Sequence, residues 1–224
     1  MRSMSGLAAI LVLLATVAPP AEAQRTFEGV ITYDMTAAGT SMEMKQMAKG
    51  MKIRSEMEGP MGEAISLMDV EAGEITTIMP AQRMYMTMDV DAMMQQMPAQ
   101  HEPPRPEEFE ATGRTETIAG HECEHYTYTN DGMTADICIA EGLGFMPIGS
   151  PGAMGGGSLA ADMEAWQARF PDGFLPLSME MTSQGNTMTM RATAVEQTSL
   201  SDDLFVVPEG YTRMPGGPGG APLR

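Results

Sequence analysis

Apolar and polar residues alternate with a period of two along most of this chain, the pattern of strands that bury one face. Thr26 to Met35 puts Phe27, Ile31, Tyr33 and Met35 on one side and Glu28, Thr32 and Asp34 on the other. Ser41 to Met47 alternates weakly. From Gly50 to Gly59, Met51, Ile53 and Met57 oppose Lys52, Arg54 and Glu56. Ala64 to Val70 continues the pattern, and Glu-Ala-Gly at 71–73 turns it. Glu74 to Met79 and Gln82 to Asp89 read as a hairpin across Pro80-Ala81, with Met84, Met86 and Met88 on one face of the second arm. Arg114 to Ile118 turns at Ala119-Gly120 into His121 to Thr129. Asn130-Asp131-Gly132 is a strong hairpin signal, and Met133 to Ala140 returns. Leu175 to Thr182 and Thr187 to Val195 form a further pair, and a last short strand is expected around Leu204 to Val207.

Helical spacing is confined to two places. Asp89 to Met97 fits a short helix. Ser158 caps a predicted helix over Leu159 to Phe170, whose apolar stripe is Leu159, Met163, Trp166 and Phe170. Pro98 to Glu110 is rich in proline and glutamate, so it reads as a linker or long loop extending to about residue 113. Residues 142–157 form a Gly/Pro-rich loop, and 215–224 are low-complexity and expected to be disordered. About eleven strands against one clear helix predict a mainly β fold. The expected form is a curved antiparallel sheet or incomplete β-barrel, with one or two helices packed on its concave side. The chain is long enough for one well-buried domain, taken as residues 24–214 with two loop excursions.

The N-terminus changes the setting of this fold. Arg2, the apolar run Leu7 to Ala18 and the Ala21-Glu22-Ala23 site have the three parts of a secretory signal, so residues 1–23 are expected to be removed. The apolar run falls short of the roughly 20 residues a membrane anchor needs. The product is therefore expected in the periplasm or outside the cell, with no stable membrane anchor. The formal net charge is −17, which excludes nucleic acid and anionic membrane surfaces as natural partners.

Cys123 and Cys138 lie on opposite arms of the hairpin around Asn130. A turn centred between Asn130 and Asp131 places them face to face, and an oxidising compartment makes a disulfide the default for such a pair. A bulge at Gly132 shifts that register. The alternative is a metal site in which His121 and His125 join the two cysteines in a Cys2His2 set. It requires reduced thiols, and His121 to His125 spans about 13 Å along a strand, too far for one tetrahedral centre.

Methionine is the outstanding feature of composition, at 26 of 224 residues. Met84, Met86 and Met88, Met179 and Met181, and Met188 and Met190 recur at strand period. Flexible thioethers suit an adaptable apolar surface. They are also soft ligands for Cu(I), although no histidine lies beside a methionine cluster. Catalytic signals are weak. No Gly-x-Ser-x-Gly occurs, and Gly155-Gly156-Gly157 lacks the Lys-Ser/Thr of a phosphate loop. Neither an enzyme nor a cofactor is expected.

Five segments together resemble a known family: Phe27-x-Gly29-x-Ile31-x-Tyr33, Gly50 to Gly59 (GMKIRSEMEG), Met79 to Met86 (MPAQRMYM), Thr112 to Cys123 (TGRTETIAGHEC) and Phe205 to Tyr211 (FVVPEGY). The chain resembles the exported bacterial domain of unknown function numbered 4412, itself similar to the periplasmic lipoprotein-carrier (LolA-like) fold. The resemblance implies a strongly curved, incomplete barrel with helices across its mouth and a concave face that holds acyl chains. It brings no catalytic residues. The binding face expected from these readings comprises Met51, Ile53, Met57, Met84, Met86, Met88, Met163, Trp166, Phe170, Met179, Met181, Met188 and Met190. Its expected partner is a hydrophobic ligand or lipoprotein. The other readings are a Cu(I) binder and an envelope interaction module whose acidic surface meets a basic protein.

Overall fold

A computed structural model describes residues 26–37, 39–59, 62–89, 108–130, 133–146, 167–183 and 185–214. The expected secretory signal, most of both long loops, the tail and all of the expected Asp89–Met97 helix except Asp89, which ends a strand, lie outside the described residues. So do Met163 and Trp166.

The first half of the chain folds into a meander of β1 (Gly29–Ala37), β2 (Thr40–Lys49), β3 (Lys52–Gly59), β4 (Gly62–Asp69), β5 (Glu74–Met79) and β6 (Met84–Asp89). The second half contributes β7 (Glu110–Ile118), β8 (His121–Asn130), β9 (Met133–Ala140), β10 (Gly144–Phe145), β11 (Gly173–Ser183) and β12 (Asn186–Gln197), and β13 (Thr212–Arg213) ends the chain's described part. All thirteen strands join one curved sheet in the order β13-β6-β5-β4-β3-β2-β1-β12-β11-β9-β8-β7, with β10 beside β11. Pairing is antiparallel except at β10–β11 and β13–β6. The end strands β7 and β13 do not pair, so the sheet is unclosed.

The halves meet along the β1–β12 seam, which runs from Gly29↔Gln197 to Ala37↔Met188. Gly29 is the glycine of the opening motif, and its place in that motif follows from this seam. A Cβ there would stand 2.1 Å from the Glu196 carbonyl oxygen. Tyr33, four residues on, is 1% exposed, and its hydroxyl donates to the Pro176 carbonyl at 2.9 Å. Pro176 lies where the β9–β11 ladder shifts register, so the tyrosine reaches across β12 to a carbonyl at an irregular point of β11. Burial raises the Tyr33 pKa far above that of a free phenol, so the hydroxyl stays a donor. Tyr33→Phe should cost about 1–2 kcal/mol, the penalty for a buried acceptor left unpaired, read as a lower urea midpoint at unchanged slope.

The last described segment straps the first meander. Its amides at Thr198 and Leu200 bond to Glu28, through the backbone carbonyl and Oε1 respectively. Lys49 Nζ donates to the Leu200 carbonyl and pairs with Asp202, and Arg54 donates to the Leu204 carbonyl. Val207 and Tyr211 then pack with Ile65, Leu67, Ile78 and Tyr85. The expected strand at 204–207 is instead a 3-10 turn over Asp202–Phe205. Its cap explains the difference: the Ser201 hydroxyl accepts from the Asp203 amide, a local bond that favours a turn over a ladder. Two short strands, β10 and β13, stand where the sequence shows no alternation. β7 begins at Glu110, earlier than expected, because a register shift between Ala111 and Thr115 lets the strand continue past Gly113. Of the expected 159–170 helix, only 167–169 are both described and helical. Phe170 ends it and packs edge-on against Tyr126 at 5.2 Å.

Candidate functional site

Cross-strand partners share a face of a sheet, so the register decides where the methionines go. Met79 pairs with Met84, and Met86 and Met88 oppose Thr77 and Ile75. Ile75 faces Met68, which faces Ile53 and, through it, Ala48. Met57 faces Met44, which faces Tyr33. Across the seam, Met42 faces Met35, Met35 faces Met190, and Met190 faces Met179. Met188 faces Met181, and Met179 faces Ile137. All of these side chains lie on the Tyr33 side of the sheet.

Their exposure is graded. Met44 is buried at 7%, while Met35, Met42, Met57, Met68, Met84, Met86, Met88, Met179, Met181, Met188 and Met190 are half-buried. Ile53 and Phe170 of the expected face are core residues. Met51 sits in the β2–β3 turn, half-buried against the main core. A cavity of about 280 Å³ opens at the end of this face, lined by Ala37, Met181, Ser183, Asn186, Thr187 and Met188. It lies just under the roughly 300–1,000 Å³ typical of small-molecule pockets. Beyond Phe170, aromatic cover on the β8 side includes Phe109, stacked on Tyr128 at 5.1 Å.

The opposite face carries a second assembly. Cys123 and Cys138 form a disulfide, with Cα atoms 5.3 Å apart. The two are not face to face as expected. Cys138 pairs in register with His125, and the ladder ends at Asn130↔Met133. The pairs therefore centre on Asp131-Gly132, a dipeptide favoured as a two-residue hairpin loop, and the disulfide runs diagonally.

Beside it, five charged or titratable side chains from four strands meet. Arg114 pairs with Asp136 at 2.6 Å, and Arg191 pairs with Glu116 at 2.6 Å. His125, 8% exposed at its side chain, lies between the carboxylates, with Nδ1 2.5 Å from Asp136 and Nε2 3.4 Å from Glu116. The Arg114 guanidinium also stands 2.7 Å from Nδ1, so that nitrogen lies between a cation and a carboxylate. Two arginines pair with two carboxylates, and these pairs tie β7 to β9 and to β12.

Glu116 is held below its usual carboxylate value, first by its hydrogen bond to Arg191. A depressed folded-state value adds stability above the unfolded value, and that stability is lost as pH falls through the folded value. Wild type should therefore lose stability below the free-carboxylate value of 4.5. Glu116→Gln should flatten that acid limb while lowering stability at neutral pH, as read by denaturant melts against pH.

Glu116, His125 and Cys138 bring their ligand atoms within 4.8 Å of one another. The Cys138 sulfur is committed to the disulfide, so this group offers no thiolate. The grouping holds His125 but not His121. Sequence reasoning missed Arg114, Glu116, Asp136 and Arg191, which are ordinary charged residues until the sheet brings β7, β9 and β12 together. Among the described residues no helix is long and apolar enough to cross a membrane.

Residues 27–211 match the family model described as "Domain of unknown function (DUF4412)". No curated protein matches the chain. An uncharacterized conserved protein from Thermus thermophilus aligns over 84% of this chain and 90% of its own, with a TM-score of 0.51 and 9% identity. PNGF-II aligns over 83% of this chain and 30% of its own, with a TM-score of 0.44 and 14% identity. LprF from Mycobacterium bovis aligns over 82% and 90%, with a TM-score of 0.36 and 7% identity. The Thermus protein shares the fold.

Proposed function

We propose that this chain, which belongs to the DUF4412 family of domains of unknown function, is an exported, non-enzymatic binding domain whose methionine face holds an apolar ligand, a lipid or lipoprotein acyl chain. One observation carries the reading: the register gathers the strand methionines from β6 to β11, all but Met47, on one face, and most are left half-buried. A face meant only for a closed core needs no flexible side chains at partly open positions. Thioether side chains re-pack around a ligand of variable shape. The opposite face has other work: the strap covers the β4–β6 side and the charged assembly ties the β7–β12 side. The disulfide fits an oxidising compartment outside the cytoplasm, in line with the secretory signal read in the sequence.

Family motifs support the non-enzymatic reading. Gly29 and Tyr33 hold the seam, Arg54 and Phe205 to Tyr211 hold the strap, and Thr112 to Cys123 builds the β7–β8 hairpin and its ties. These motifs specify the fold, and two more of them, Gly50 to Gly59 and Met79 to Met86, also supply Met57, Met84 and Met86 to the methionine face.

Titration of the mature protein with a fluorescent long-chain fatty acid tests the proposal. Saturable binding is expected, weakened about tenfold or more, some 1.4 kcal/mol, by combining Met84→Gln, Met86→Gln and Met88→Gln. Binding that never saturates, or that is indifferent to the three substitutions in a folded variant, would contradict it.

A further inference from the structure

The β2-β1-β12-β11 centre of the sheet holds an arrangement that an apolar lining does not require. Met42, Met35, Met190 and Met179 stand directly opposite one another on four consecutive strands. Neighbouring strands are about 4.8 Å apart, so three successive members of this ladder span about 10 Å at the backbone. Each ends in a thioether on a side chain with three rotatable bonds. All four are half-buried, open enough for an ion to enter and packed enough to hold a position. Met35, Met190 and Met179 rest on the main core, which fixes their stems and leaves the sulfur ends to converge.

We propose that this ladder is a Cu(I) site, with Met35 and Met190 as central ligands and Met42 or Met179 completing a three-sulfur set. Thioethers are soft, neutral donors that select Cu(I) over Zn²⁺, Mg²⁺ or Ca²⁺. A neutral ligand set leaves the positive charge of the ion uncompensated at the site, and the chain's net charge of −17 favours its approach. The alternation along each strand shows only that its methionines share a side. The site exists because non-local pairing puts β1 between β2 and β12. It is separate from the charged assembly at His125, which lies on the other face. It is also independent of the acyl-chain reading.

The test is a titration of mature, disulfide-intact protein with Cu(I) against a chromogenic Cu(I) chelator, under a mild reductant that leaves the buried disulfide closed. One equivalent withdrawn from the chelator, with a dissociation constant below about 1 µM, is expected. X-ray absorption of the complex should show a sulfur-only ligand shell. Because thioethers do not titrate, affinity should stay flat from about pH 8 to about pH 5, across the range where a histidine site would lose its ion. The double variant Met35→Leu with Met190→Leu should weaken binding at least tenfold. The pair Met86→Leu with Met88→Leu, at the far end of the same face, should not. Leucine keeps the volume, and the single variant Met190→Leu, at a central ligand, serves if the double one does not fold. No withdrawal of copper, nitrogen in the ligand shell, or equal loss in both double variants would overturn the proposal. Acyl-chain binding read separately on metal-free protein keeps the two readings distinguishable.

Discussion

Gly29→Ala is expected to destabilise the protein by about 3–5 kcal/mol, among the largest effects a single methyl group produces. The added carbon would stand 2.1 Å from the Glu196 carbonyl oxygen and 3.0 Å from the Gln197 Cα. Both obstacles are backbone, so no side chain can swing aside. β12 must move, and β12 is the element through which the β1–β6 and β7–β12 meanders become one sheet. Relief of the clash therefore breaks the register that aligns Met35 with Met190. Gly59→Ala makes the comparison. There the nearest atom would be the Gly62 carbonyl oxygen at 3.9 Å, so the change should stay within about 1 kcal/mol of wild type. Urea melts of the two variants read the difference directly. A cost below about 1 kcal/mol at Gly29 would mean that the seam is looser than its geometry.

Replacing both cysteines with alanine is expected to cost about 3 kcal/mol, the loop-closure contribution of a bond spanning 15 residues. The bond links β8 to β9 beneath His125, and both sulfurs are shielded, with Cys123 2% and Cys138 0% exposed. Their removal also leaves a small void at each buried sulfur position, which adds to the cost. Denaturant midpoints of the double variant and of oxidised wild type give the value. Reductant added to the folded wild type should change little until the chain opens, because thiolate attack requires access to a sulfur. Equal stability of the double variant and wild type would show that the β8–β9 hairpin is held without the bond.

The strands were legible where one side faces the core and the other does not. Phe27, Ile31 and Tyr33 alternate with exposed or half-exposed residues, and they are buried in the structure. The cysteine pair was legible too, but its register was not. Asn130-Asp131-Gly132 admits two turn centres, and only the strand ends Asn130 and Met133 decide between them. The 3-10 turn at Asp202–Phe205 reads as a strand in the sequence because four apolar residues in a row, Leu204 to Val207, outweigh the Ser-Asp-Asp before them. What alternation cannot supply is which strands lie side by side. β1 neighbours β2, which follows it, and β12, which lies far along the chain at Asn186–Gln197. The methionine ladder and the Arg191–Glu116 tie both depend on pairing of that kind. Residue type offered a hint for the first, through the excess of methionine, and none for the second.

Native mass spectrometry of the mature protein, drawn from its own envelope compartment without detergent, bears most directly on the proposed function. The account predicts a protein mass with an added acyl-bearing molecule, released by mild activation and reduced in occupancy by the Met84→Gln, Met86→Gln and Met88→Gln combination. Protein that carries no hydrophobic adduct as isolated, and takes none up from lipid extract of the same compartment, would contradict it.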